Sequence, residues 1–314
     1  MSIARGTRVL VTGAGGFIAS HLIPRLVDAG YRVLAQEPEN FAARLTPLAG
    51  RIERIDASLH ESPAEETMAA FDPELVFHLA GRTDQSRGRD IERLQLDEHL
   101  GAAQAVVRAC FRPGLRRMVY TSTNEEYGHN PVPHREDQRE MPISAYSAAK
   151  TACTHYFQML ARSERLPIVV VRPFLVYGPG QGRGLFHLVG GPALRQEAFE
   201  CTEGIQTRDF VYVNDVVEDL LAAASAPNVE GEIYNLGTGV ETPVRAAVEM
   251  VTRLAGGRPR FGALPTRPGE MMRSVADVTA SRNRLGWAAR TALADGLAAT
   301  LEDLRRGLRD TMDA

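Results

Sequence analysis

A short apolar run, Arg8–Val11, leads straight into Thr12-Gly13-Ala14-Gly15-Gly16-Phe17-Ile18-Ala19. Few folds need a buried strand, a glycine-dense turn and a helix in that order. Glycine lets the backbone reverse tightly and leaves space for a ligand's diphosphate against the main chain. The helix that follows offers free N–H donors and the positive end of its dipole. Strand before and helix after are the context in which such a glycine pattern reads as a dinucleotide-binding turn. Gly13, Gly16, Phe17 and Ile18 are therefore expected to line a dinucleotide.

The rest of the first half repeats the strand-then-helix rhythm. After the helix expected over Ile18–Ala29, strands are expected at Tyr31–Ala35, Arg51–Asp56, Leu75–Leu79, Arg117–Ser122 and Ile168–Val171. Helices are expected at Glu65–Ala70, Ile91–Phe111 and Ala145–Arg165. Strands separated by helices imply a parallel sheet covered on both faces. The fold class is thus α/β, a Rossmann-like doubly wound parallel sheet. Beyond Arg172 the rhythm breaks at the loop Tyr177-Gly178-Pro179-Gly180-Gln181-Gly182. Shorter segments follow at Phe210–Val213, Val216–Ala224, Ile233–Asn235 and Thr242–Leu254, and Ala292–Leu308 reads as an amphipathic helix. The expected division is a nucleotide-binding domain over 1–172, with returns near 211–240, and a smaller, mainly substrate-binding domain over 173–314.

Two carboxylates refine the ligand. Glu37 follows the second strand, about twenty residues after the turn, where a carboxylate accepts hydrogen bonds from ribose hydroxyls. It would repel a 2′-phosphate, so NAD is favoured over NADP. Gln36 is adjacent, and a slip of one residue would exchange the two. Asp56, at the end of the third strand, can reach an adenine amino group or serve as a plain turn residue.

Bulk composition excludes several classes. With 314 residues, 44% of them hydrophobic, the chain can bury a large core. A net charge of −3 gives no basic field for nucleic acid. Cys110, Cys153 and Cys201 have neither metal-ligand spacing nor a disulfide pattern, and fit a reducing compartment. No signal-peptide pattern and no membrane-length apolar run is present, so a cytoplasmic protein with no metal and no membrane partner is expected.

Tyr146 and Lys150 stand four residues apart in a helix-forming stretch and share one helical face. A phenol with pKa of about 10 is a poor base near neutrality, and a neighbouring ammonium favours its ionised form. Taken with the glycine turn and His78-Leu79-Ala80-Gly81, this pair resembles the extended short-chain dehydrogenase/reductase family, and within it the NAD-dependent nucleotide-sugar epimerases, dehydratases and 4-ketoreductases. Further matching segments, in family order, are Thr121-Ser122-Thr123-Asn124-Glu125-Glu126-Tyr127-Gly128, Arg172–Pro179, Gln206–Val213, Tyr234–Gly239 and Arg267-Pro268-Gly269-Glu270 with Asp277 and Leu285-Gly286-Trp287. The resemblance covers nearly the whole chain.

The resemblance implies a site between the two domains, a nucleotide-diphosphate sugar as substrate, and a homodimer packed through the two long helices. It places Ala57, Leu79, Ala80, Gly81, Tyr146, Lys150 and Pro173 along the cofactor. Thr83, Thr123, Asn124, Leu175, Arg208, Arg267 and Glu270 face the substrate, the two arginines meeting its diphosphate. It also implies oxidation at C4 of the sugar, with Tyr146 as base, Lys150 as its pKa-lowering partner and Thr123 holding the 4-oxygen. A 4-epimerase leads. Glu125 matches the acid of 4,6-dehydratases, although some 4-ketoreductases carry Glu there too, and Asn124 replaces the Asp of one dehydratase class. Leu175 stands where many members have a phosphate-binding asparagine, which keeps a non-sugar dehydrogenase or reductase open. Glu98 stands where an asparagine is common. The polar loop Arg82–Gly88, with Arg183 and His187, supplies secondary candidates for an anionic group.

Overall fold

The computed structural model describes residues 4–312 except 85, 87 and 268. Gln85 and Arg87 of the polar loop and Pro268 of the C-terminal motif lie outside the described residues. Seven parallel strands form the central sheet: β1 (Arg8–Thr12), β2 (Arg32–Gln36), β3 (Glu53–Ile55), β4 (Leu75–His78), β5 (Arg117–Thr121), β6 (Ile168–Pro173) and, from far along the chain, a strand at Ile233–Leu236. That last strand pairs with β6 in the register Ile233↔Val170, so it closes the sheet edge beyond β6.

Consecutive strand residues enter opposite cores, as the pleat demands. Val9, Val11, Phe77 and Val119 join one cluster, with α1 (Phe17–Asp28) and a helix at Val213–Ser225. Leu10, Val76, Met118 and Tyr120 join the other, with α2 (Ser62–Phe71), α3 (Arg89–Cys110) and α4 (Ala145–Ser163). A sheet buried on both faces explains why its strands read as unbroken apolar runs. The strand order reverses between β1 and β4, and the carboxyl ends there open the crevice in which ligands of such sheets bind.

The remaining elements are β7 (Leu175–Tyr177), α5 (Leu185–Leu194), β8 (Ala198–Glu200), β9 (Thr207–Arg208), β10 (Phe210–Tyr212), α6 (Val213–Ser225), β11 (Ile233–Leu236), β12 (Thr242–Pro243), α7 (Val244–Ala255), β13 (Arg258–Arg260) and α8 (Leu293–Met312). Three two-stranded ladders, β7 with β10, β9 with β12 and β8 with β13, surround a third core of Phe186, Val189, Val248, Val251, Leu297 and Leu301. Helix α5 is absent from the expectations, and Gly190, Gly191 and Pro192 lie within it. The reason for Gly190 is tertiary: a β-carbon there would lie 2.7 Å from Leu304 Cδ1, so at this point α8 packs against a glycine.

Candidate active site

The glycine turn packs against the end of β4. Gly13 has φ +67°, and a β-carbon on it would sit 2.7 Å from the Ala80 backbone. Thr12 ties the same strand ends together through its hydroxyl, 2.7 Å from His78 Nδ1. Helix α1 begins at Gly16 with no side-chain cap and no acid in its first turn, so its leading amides keep their donors for a ligand. Phe17 and Ile18 are half-buried there.

Register decides between Gln36 and Glu37. The Gln36 amide turns away and donates to Ala57 O at 2.7 Å, whereas Glu37 Oε2 accepts from the Gly15 amide at 2.8 Å. Burial raises the pKa of this carboxyl. Asp56 instead pairs with Arg54, two residues before it. Pro173 is buried at the end of β6.

Helix α4 starts on a reciprocal cap: Ser144 and Ser147 each accept the other's backbone N–H at 3.0 Å. This puts Tyr146 in the first turn and Lys150 one turn later. Tyr146, Thr123 and Lys150 are all buried. Thr123, just past β5, caps the short 3₁₀ turn Asn124–Tyr127 and hydrogen-bonds the Tyr146 phenol. Lys150 donates to Thr121 O at 2.9 Å, with its ammonium 5.0 Å from the Tyr120 ring centre. Burial brings its pKa down to about 8. The Tyr146 phenol is pushed up, first by burial and then by Glu125, while the Thr123 hydrogen bond pulls the other way. Burial, the largest cause, outweighs the depression expected from the Tyr–Lys spacing in this arrangement.

Across the cleft, Arg208 on β9 donates to Thr207 O and Met271 O, each at 2.7 Å, and pairs with Glu270. The Glu125 charge acts on both Arg208 and Tyr146, so it lies near each of them. Asn124 Nδ2 donates to Ser274 Oγ at 2.8 Å and so ties this turn to the segment after Glu270. Arg267 is exposed, its carbonyl accepting from the Glu270 amide at 3.1 Å. Leu175 is 37% exposed on β7, and Thr83 is exposed. Glu98 holds Arg82 in a two-point ion pair at 2.6 and 3.0 Å. The Arg183 charge reaches Asp84 in the same loop, whereas His187 lies on α5 with a buried Nδ1.

One site neighbour escapes sequence reasoning. His99 on α3 is buried, its ring centre 5.7 Å from that of Tyr146 and its Nε2 3.1 Å from Arg82 O. Burial and Lys150 lower its pKa to about 3, so it stays neutral beside the ammonium. A β-carbon on Gly81 would lie 2.5 Å from its Cε1. Only a contact across the β4–α3 boundary reveals this, and no sequence spacing signals it.

The profile of the NAD dependent epimerase/dehydratase family matches residues 9–237. The chain belongs to this family. A UDP-glucose 4-epimerase of Mycolicibacterium smegmatis is 33% identical over 316 aligned positions, covering 95% of this chain and 98% of the relative. The solved UDP-glucose 4-epimerase of Thermotoga maritima, with UDP-glucose, superposes with a TM-score of 0.87 at 28% identity, covering 96% of this chain and all of that one (100%). A UDP-glucuronic acid 4-epimerase of Bacillus cereus, in complex with UDP-glucuronic acid and NAD, gives 0.87 at 26% identity, covering 96% and 99%. The protein is an NAD-dependent enzyme of the extended short-chain dehydrogenase/reductase type. Its own residues fit NAD: Gly13 and Gly16 leave no room for β-carbons, helix α1 has no side-chain cap, and the group beside the turn is a carboxylate. Among the described residues no helix is long and apolar enough to cross a membrane.

Proposed function

We propose that the protein is a nucleotide-sugar 4-epimerase working through a 4-keto sugar. The observation that carries this reading is the Thr123–Tyr146 hydrogen bond at the β5–α4 end of the cleft, facing the Arg208–Glu270 pair on the other side. NAD, when bound, supplies acceptance and return of the C4 hydride and brings a positive charge. Tyr146 takes the proton of the 4-hydroxyl and later returns it to the 4-oxygen. Thr123 holds that oxygen and fixes the angle at which it meets the phenol. Lys150 is fixed by the Thr121 carbonyl, one turn along α4 from Tyr146. Arg208 and Arg267 take the diphosphate, for which planar guanidiniums are suited. Glu270 takes the nucleotide ribose, and Thr83, Asn124 and Leu175 border the sugar.

A second reading is a 4,6-dehydratase, favoured by the carboxylate of Glu125 beside the phenol. There Glu125 would remove the C5 proton, the 6-hydroxyl would leave protonated as water, the hydride taken from C4 would be delivered to C6, and Tyr146 would still serve C4. Either reading is compatible with a homodimer through α3 and α4, whose Leu96 and Met159 are 44% and 47% exposed.

The test is incubation with UDP-, GDP-, CDP- and dTDP-sugars, with and without added NADH or NADPH, resolved by mass and NMR. Inverted stereochemistry at C4 with unchanged mass is expected. Loss of water would establish the dehydratase instead, and a gain of two hydrogens only with added cofactor a reductase. Tyr146→Phe should lower kcat by about 10³-fold or more at unchanged melting temperature. Equal turnover by this variant would refute the assigned base.

A further inference from the structure

Three separate elements grip the loop that follows β7. Arg44, from the 3₁₀ segment Glu39–Leu48 that links β2 to β3, donates through Nη2 to Gly180 O at 2.8 Å and through Nη1 to Gly15 O at 3.3 Å. His21, one turn into α1, lies with Nε2 2.9 Å from Pro179 O. Asp303 on α8 accepts the Gly180 amide at 2.7 Å. The loop is therefore tied to the glycine turn at Gly15, to the helix that turn opens, and to the C-terminal helix.

A guanidinium is suited to this task. It bridges two carbonyls from parts of the chain 165 positions apart in numbering, Gly15 and Gly180, and its planar fork holds them in a set geometry. The glycine turn it braces is the one whose amides fit the diphosphate of NAD. A cation at this point also complements that diphosphate. Arg44 thus ties the turn to the loop with bonds that must break before the loop can lift away from it.

We propose that Arg44 is a positioning residue that clasps the glycine turn to the 178–182 loop and keeps NAD resident across turnovers. Residence matters for the type of reaction. In an epimerase the hydride taken from C4 would return to C4, and in a 4,6-dehydratase it would pass to C6, so the cofactor would be regenerated in place and its slow release would be harmless. A reductase must exchange its cofactor at every cycle and would be throttled by such a strap. The inference rests on the NAD assignment and not on which sugar is bound.

The experiment measures release directly. Wild type, Arg44→Ala, Arg44→Lys and Asp303→Ala are loaded with NAD and cleared of excess by gel filtration. Released NAD is then captured by alcohol dehydrogenase with ethanol. Arg44→Ala should release NAD roughly 10-fold faster, with Asp303→Ala and Arg44→Lys in between, as expected for losing one or two charge-assisted hydrogen bonds. Asp303→Ala lies away from the glycine turn and serves if Arg44→Ala folds poorly. Release at the wild-type rate in both alanine variants overturns the proposal. So does a wild-type enzyme that sheds NAD as fast as it turns over sugar, an outcome that would leave the 4-epimerase reading standing.

Discussion

Glu125 and Glu126 are adjacent in the chain and belong to two different regions. Glu126 is fully buried behind the β5 and β6 ends. It accepts from Arg172 Nε at 2.8 Å, from Thr154 Oγ1 at 2.7 Å and from Ser122 Oγ. Arg172, also fully buried, reaches Glu140 at 2.6 Å and lies 4.6 Å from the Tyr127 ring centre. Glu125 faces the cleft, where its charge acts on Tyr146 and Arg208. A charge taken wholly out of water persists only when every side of it is answered. A carboxylate at the cleft keeps the freedom to move a neighbour's pKa. Two equal side chains thus sit in opposite settings, one locked into a buried ion pair and the other acting on Tyr146 and Arg208.

The sharpest way to break this contrast is Arg172→Leu. It leaves Glu126 buried without its counter-charge and should cost about 3–5 kcal/mol in denaturant unfolding. Glu125→Gln, by comparison, should alter activity while changing stability by less than about 1 kcal/mol. If the two substitutions cost the same stability, the distinction between the regions collapses. On the cleft side, Gly81→Ala drives a β-carbon into the His99 ring and should cost about 1–3 kcal/mol together with lowered kcat. The double variant Gly81→Ala/His99→Ala should recover most of that loss; no recovery would mean that the close fit to His99 is not what excludes a side chain.

The smallest effect concerns a third acid that is answered by nothing. Asp219 on α6 is fully buried, and among the described residues neither of its oxygens has a partner. Burial holds its pKa well above the ordinary carboxylate range. A raised folded pKa means that stability is fullest below the unfolded value and is lost as pH rises through the folded one. Asp219→Ala should therefore stabilise the protein near neutrality by about 1–2 kcal/mol. The gain should shrink toward about pH 4, near the unfolded pKa of Asp. A gain that is constant with pH would show that the carboxyl is not the cause.

Much of the fold was readable because its signals are local. The glycine turn, the alternating helices and the apolar strands each need only a window of neighbours, and the strand and helix limits fall within a few residues of those expected. The family and its NAD followed from the same windows. Helix α5 was not readable, because Gly190 answers to Leu304 on another helix. The orientation of Lys150 was not readable either: helical spacing puts it on the Tyr146 face, but the Thr121 carbonyl decides where the ammonium goes. His99 and Arg44 carried no pattern at all.

The sequence by itself determined the parallel sheet, the glycine turn and the family, since periodicity and motif order are properties of short stretches. Only the tertiary structure decided that Glu37 rather than Gln36 meets the turn, that Glu126 is locked to Arg172 while Glu125 looks into the cleft, and that Arg44 straps a distant loop across the glycines. The physical reason is common to all three. Which of two adjacent side chains is buried, and what balances it, depends on partners brought together by packing from far along the chain, and a buried polar group cannot choose among them by sequence distance.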